Sequence, residues 1–182
     1  MHFTAGFLTL LLMGAAAAQA APGCQDDLRR LAPRMEESVA RLYESSGYEC
    51  AWTRQGVATA QARALAEAIA GAASKGLDPR DYEWPAVFFA GKIPVQEAAL
   101  ADVAFTQASL RFVSDLCSGR VNSGTDRCDS PGQVMRLTTA PDTAAVLREL
   151  EPKSEEYRRT LLVLEKYLAL AREQPEPDAL PE

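Results

Sequence analysis

The sequence has almost no histidine. Its single copy, His2, lies at the very start of the chain. His2 falls in the segment read below as a cleaved signal, so the mature chain is expected to hold no histidine, which leaves no Ser-His or Cys-His nucleophile pair and no imidazole metal site. No Gly-rich phosphate loop is present. Ser74 and Lys75 are adjacent, which is the wrong spacing for a Ser-x-x-Lys nucleophile. No C-x-x-C pair occurs, which argues against a redox motif and against zinc. Lysine and arginine never cluster, and the net charge is −6. Nucleic-acid binding needs a basic face, so that class is disfavoured, as is attraction to anionic lipid. Alternating strand patterns of useful length and internal repeats are also lacking. These absences leave no cofactor or metal site to assign.

Only one strongly apolar run stands out, Phe7 to Met13, followed by Ala15 to Ala18. It falls short of the roughly 20 residues a membrane span needs. Ala18-Gln19-Ala20 supplies a small-x-small cleavage site, although only His2 stands where Lys or Arg is usual. This predicts a signal peptide over residues 1–20 and a periplasmic or secreted protein with no membrane span once cleaved. The removed segment carries no Asp, Glu, Lys or Arg, so the net charge stays at −6. The remaining length suits one domain over residues 21–173. Residues 174–182 hold three prolines and three acids and read as a solvated tail.

Four cysteines follow the signal: Cys24, Cys50, Cys117 and Cys128. An even count in an exported chain predicts two disulfides, with three connectivities open. Cys117–Cys128 would close a local loop at the end of a helix, which leaves Cys24–Cys50. An unbroken helix across that second interval would hold its ends roughly 30 Å apart or more. Disulfide-bonded residues need Cα atoms within about 7 Å. The pair therefore requires a break, and Pro33 is the place for it. If the helix runs through Pro33, Cys24 must pair with Cys117 or Cys128 instead. Ala21-Pro22-Gly23-Cys24 faintly resembles a lipoprotein processing site, but Pro22 and the missing Leu count against lipidation.

The rest of the chain reads as helices. Met35 to Ser45 places Val39, Leu42 and Tyr43 on one side and is ended by Gly47. Ala60 to Lys75 is Ala-rich, with Leu65 and Ile69 on the buried stripe and Gly76 as a left-handed cap. Asp78-Pro79 opens a short turn through Tyr82. Pro94 to Cys117 repeats Val95, Ala99, Val103, Thr106, Leu110, Val113 and Cys117 at helical steps. Phe105, Phe112 and Leu116 widen that stripe enough to make this the central helix. Ser123 to Gly132 reads as a polar loop. Thr143 to Leu150 is a short helix. Ser154 caps a last helix, with Glu155 and Glu156 in its first turn and Tyr157, Leu161, Leu164 and Leu168 on its buried face. The expected fold is all-α: one compact, disulfide-braced domain of about five to seven helices.

Four signatures lie in order along this chain. They are Leu42-Tyr43 with Gly47-Tyr48-Glu49-Cys50-Ala51-Trp52-Thr53, then Gly76-Leu77-Asp78-Pro79-Arg80-Asp81-Tyr82, then Gly119-Arg120-Val121, and a late helix with Tyr157 and Leu161. Their order and spacing resemble the scaffold domain that precedes the catalytic domain in bacterial murein L,D-transpeptidases. The resemblance runs from about Glu37 to Leu170. Cys50 and Asn122-Ser123 stand where that family usually has proline, which fits a disulfide-braced variant. The family's catalytic cysteine motif, Ser-x-Gly-Cys-x-Arg with a histidine partner, is absent.

The resemblance implies a non-catalytic scaffold or binding protein of peptidoglycan metabolism. Its partner would be a periplasmic transpeptidase or peptidoglycan itself. A carboxylate-dependent wall-cleaving enzyme is the alternative, with Asp78 and Asp81, or Glu155 and Glu156, as its acids. An inert remnant of a larger transpeptidase is a third. Asp78 more simply caps a turn, Arg120 more simply bonds a helix end, and Trp52 more simply seals Tyr43 and Tyr48 against the central helix. Phe88 and Phe89 follow Trp84-Pro85 in a short connection that Gly91 bounds. Trp84, Phe88 and Phe89 are the expected partner surface if they are not buried.

Overall fold

The computed structural model describes residues 23–119 and 128–173. Seven α-helices and one small hairpin make up these residues, with short 3-10 turns between them. The all-α expectation is met.

The first helix, α1 (Cys24–Leu31), carries Asp26 and Asp27 in its first turn and Arg29 and Arg30 in its last. Both placements complement the helix dipole. Leu28 is its one buried residue, and α1 packs against the central helix. Pro33 then sits in a 3-10 turn over Ala32–Arg34, after which Met35 is extended. This break redirects the chain into α2 (Glu37–Ser45). It brings Cys24 within 6.1 Å of Cys50, Cα to Cα, and the two form a disulfide. Cys117–Cys128 is the second bridge, at the same Cα separation of 6.1 Å.

Val39, Leu42 and Tyr43 form the buried face of α2. The helix ends at Gly47 and Tyr48, both with left-handed φ (68° and 64°), and the Tyr48 amide donates to the Tyr43 carbonyl at 2.6 Å. A hairpin follows that the sequence reading did not anticipate. Strand β1 (Thr53–Arg54) pairs antiparallel with β2 (Val57–Ala58) across Gln55-Gly56. Both turn residues have positive φ, the requirement of a two-residue primed turn. Gly56 is doubly constrained, because a Cβ there would lie 3.0 Å from the Ile93 carbonyl oxygen.

Helix α3 (Ala60–Ala70) starts at Thr59, whose side chain accepts from the Ala62 amide. The expected single helix to Lys75 is corrected here. The α-helix stops at Gly71, and Ala72–Lys75 tightens to 3-10 before Gly76 turns left-handed at φ 76°. Further 3-10 turns cover Pro79–Tyr82 and Ala86–Phe89.

The central helix is α4 (Val95–Ser118), and it buries residues over most of its circumference. Val95, expected in its stripe, is exposed at the first position of the helix. Helix α5 (Ser130–Thr139) begins inside the segment expected to be loop. Pro131-Gly132 looked like a breaker, but proline costs no hydrogen bond in a first turn, and Asp129 caps the Gly132 amide at 3.1 Å. Val134 and Leu137 then reach the core. Helix α6 (Thr143–Leu150) is capped by Asp142 and packs on α3 and α4.

Helix α7 (Glu155–Glu173) is capped by Ser154, whose hydroxyl accepts from the Tyr157 amide. Its expected buried face is corrected in degree. Tyr157, Leu161, Leu164 and Leu168 do form the inward stripe, but all four are only half-buried. The helix rests on the Ala72–Lys75 turn and is not enclosed. Among the described residues no helix is long and apolar enough to cross a membrane. The expected signal peptide over residues 1–20, Arg120 and the tail over residues 174–182 lie outside the described residues.

Candidate functional site

The core is organised by one aromatic ring. Phe105 of α4 stacks on Phe88 at 4.7 Å and meets Trp52, Trp84 and Phe89 edge-on at 5.0–5.7 Å. Edge-to-face geometry matches ring edges to ring faces. This cluster takes Phe88 out of the expected partner surface. Phe88 is fully buried, and Trp84 and Phe89 are half-buried against the core. The Ala86–Phe89 turn is what makes this burial feasible, since it folds both phenylalanines back onto α4. Trp52 is likewise a core residue.

Next to this cluster lies a feature the sequence reading missed. Asp102 of α4 has no exposed surface. Its Oδ1 accepts from the Tyr43 hydroxyl and the Ala51 amide, both at 2.8 Å. Its Oδ2 accepts from the Trp52 amide at 3.0 Å and the Thr53 hydroxyl at 3.3 Å. Trp52 Nε1 donates to Thr106 Oγ1 at 3.0 Å, and that hydroxyl lies 2.7 Å from the Tyr43 oxygen. Tyr43 spends its proton on Asp102, so Thr106 must be the donor to Tyr43. The proton directions are thus fixed through Trp52, Thr106, Tyr43 and Asp102 in turn. Burial pushes the Asp102 carboxyl above the usual aspartate range, against the downward pull of its hydrogen bonds. Burial and the adjacent Asp102 charge push the Tyr43 phenol well up. The signature around Tyr43 and Trp52 is therefore the part of the chain that this buried carboxyl holds in place.

The second signature is held in the same way further along α4. The Tyr82 hydroxyl donates to Asp115 Oδ2 at 2.8 Å, and its ring meets Phe112 edge-on at 5.4 Å. Asp78 accepts from the Arg80 amide at 3.0 Å and forms an ion pair with the Arg80 side chain at 2.7 Å. Glu155 is engaged by Arg158 and Arg159. Of the four acids considered, Asp78 and Glu155 thus have structural duties, as a cap and in ion pairs.

Three of the four signatures meet at one opening. A cleft of about 670 Å³ lies between the end of α4 and the start of α7. Its lining includes Gly76, Leu77, Gly119 and Tyr157, together with Lys75, Asp115, Ser118 and Lys153. A Cβ on Gly76 would sit 3.7 Å from Leu164, so the turn there lies directly against α7. Lys75 pairs with Glu151 at 2.9 Å, and Tyr157 donates to the same carboxylate at 3.4 Å. Burial and that charge push the Tyr157 phenol up to about 12. Among the described residues there is no group of side chains arranged to hold a metal ion. All four cysteines are in disulfides, so none offers a thiolate nucleophile.

The chain belongs to the Scaffold domain family, whose model matches residues 37–164, more than half of the sequence. This is the scaffold domain of the L,D-transpeptidases, the non-catalytic part of those enzymes. No curated protein and no solved structure matches the chain.

Proposed function

We propose that this protein is an exported, non-catalytic scaffold or binding protein of cell-wall metabolism. It acts in the periplasm by engaging peptidoglycan or a transpeptidase that works on it. The observation that supports this reading most is the family match over residues 37–164, in a chain without the transpeptidase Cys/His machinery. The cleft between α4 and α7 is the candidate contact site, because the family signatures gather there while the aromatic cluster is buried. Cleavage after Ala20 delivers the chain to a compartment where both disulfides persist.

Co-sedimentation with purified peptidoglycan sacculi, together with cross-linking in the periplasm, tests the proposal. Retention on sacculi, or a cross-link to a transpeptidase, is expected. A protein that stays in the cytoplasm with its signal attached, or that meets neither target, would contradict it.

A further inference from the structure

We infer that α7 is a hinged arm. It closes on the body through one latch, formed by Lys75, Glu151 and Tyr157, and it opens as an intact helix about the Pro152-Lys153 connection. The inference goes beyond the proposed cellular role and does not depend on it.

The seat of α7 is shallow. Each of the helices α1 to α6 places at least one buried residue in the core, and α7 places none. Its inward residues, Tyr157, Leu161, Leu164 and Leu168, are only half-buried. They rest mainly on the Ala72–Lys75 turn and Gly76. An open groove runs along each side of that seat. One, of about 670 Å³, separates the start of α7 from the end of α4. The other, of about 590 Å³, lies between Ser74-Lys75 and the edge of α7 that carries Leu161, Leu162 and Leu168. Elements with few buried apolar contacts open at free energies well below that of global unfolding.

The polar contacts at the seat converge on one carboxylate. Glu151 follows the last residue of α6, on the body side of the hinge. Lys75 pairs with it at 2.9 Å from the turn beneath α7, and Tyr157 donates to it at 3.4 Å from the first turn of α7. The Lys75 and Glu151 side chains are 31% and 16% exposed, against 52–76% for the Glu155 pairs on α7. Solvent therefore screens the latch less than those surface pairs. Burial and the Glu151 charge hold the Tyr157 phenol up to about 12, so it stays a donor near neutral pH. The arm also has the means to stay helical when it leaves its seat. Ser154 caps it, Glu155 engages Arg158 and Arg159, and its 19 residues exceed the length at which isolated helices are marginal. At the hinge, Glu151 is extended and Pro152 prevents α6 from running on into α7. Opening uncovers Leu161, Leu164 and Leu168 on the arm and the Ala72–Lys75 turn on the body.

Pulsed electron paramagnetic resonance on the whole exported protein tests the inference. Spin labels go on the exposed positions Glu67 of α3 and Ala169 of α7, attached through azide-bearing side chains that leave both disulfides intact. The wild type should show one main short separation and a small population of longer ones. Glu151→Gln and Lys75→Met should each raise the ratio of long to short separations about tenfold, as the loss of a charge-assisted hydrogen bond does. Tyr157→Phe should raise it less, because its bond to Glu151 is the longer one. Helix content by circular dichroism should be the same in all three variants as in the wild type. Where Glu151→Gln or Lys75→Met loosens α6 and lowers the melting temperature, Tyr157→Phe decides, since it touches the latch from the arm alone. A single short separation kept by the wild type and every variant would overturn the inference. So would longer separations that come with lost helix content, because α7 would then melt rather than swing.

Discussion

At the scale of single residues, the buried Asp102 carboxylate ties α4 to the Tyr43 and Ala51–Thr53 segments. Every group facing its carboxylate is a donor: two backbone amides and two hydroxyls. Asparagine offers only one acceptor oxygen and points its own N–H groups at donors. Asp102→Asn should therefore destabilise the fold, at about 1–3 kcal/mol for each buried donor left unpaired, measurable by urea denaturation. The pH dependence has a definite sign. Burial raises the folded-state carboxyl above its unfolded value, so its stabilising increment is fully present below the unfolded value. That increment is lost as pH rises through the folded value. The stability gap between wild type and Asp102→Asn should thus widen on acidification. A gap that widens towards alkaline pH would show that the hydrogen bonds outweigh burial. Phe105 is the matching apolar position. Phe105→Ala removes the ring that four others contact and should cost about 3–5 kcal/mol, read as a lowered melting temperature with little change in surface charge. The Phe88→Ala, Phe89→Ala pair should likewise impair folding, since Phe88 is core.

Individual elements differ in how legible they were. Helices with strong periodicity and polar caps were readable: α2 ends close to Gly47, α6 spans the expected Thr143–Leu150, and α7 starts at its Ser154 cap. The Pro33 break was readable because only a bend there satisfies the distance demanded by Cys24 and Cys50. The hairpin was not, because two-residue strands are too short to show alternation, and its turn is marked by Gln55-Gly56 rather than a stronger signal. Helix α5 was masked by Pro131-Gly132, residues that break a helix interior but suit a capped start. Asp102 is hard to see in the sequence because a strong apolar stripe surrounds it. The signal was there: Asp102, Thr106 and Ser109 recur at helical spacing in a segment otherwise apolar. The burial of Phe88 is hidden for a related reason, since a 3-10 turn buries side chains that a plain loop would leave out. The cleft itself could not be read, because its walls come from segments far apart in sequence. The bridge from α1 makes an element-level prediction. Cys24→Ser should cost about 2–5 kcal/mol and loosen α1 and the Cys50 segment first, seen as faster amide exchange there than in α4.

The whole molecule is a body with α4 at its centre and α7 laid along one side. Four of its exposed large apolar residues, Leu162, Val163, Tyr167 and Leu170, lie on α7 alone. The exported form should carry two disulfides, so its intact mass should be four hydrogens below that of the reduced chain. Free thiols in the folded protein would contradict that pairing. The central claim is that this body binds and does not catalyse. Its most direct test is incubation of the purified, oxidised protein with muropeptides, followed by mass analysis of the products. The account predicts an unchanged muropeptide profile, with neither cross-linked nor cleaved species. Turnover that disappears in Asp78→Asn or Asp81→Asn, with the fold intact, would contradict it and make the protein a carboxylate-dependent enzyme.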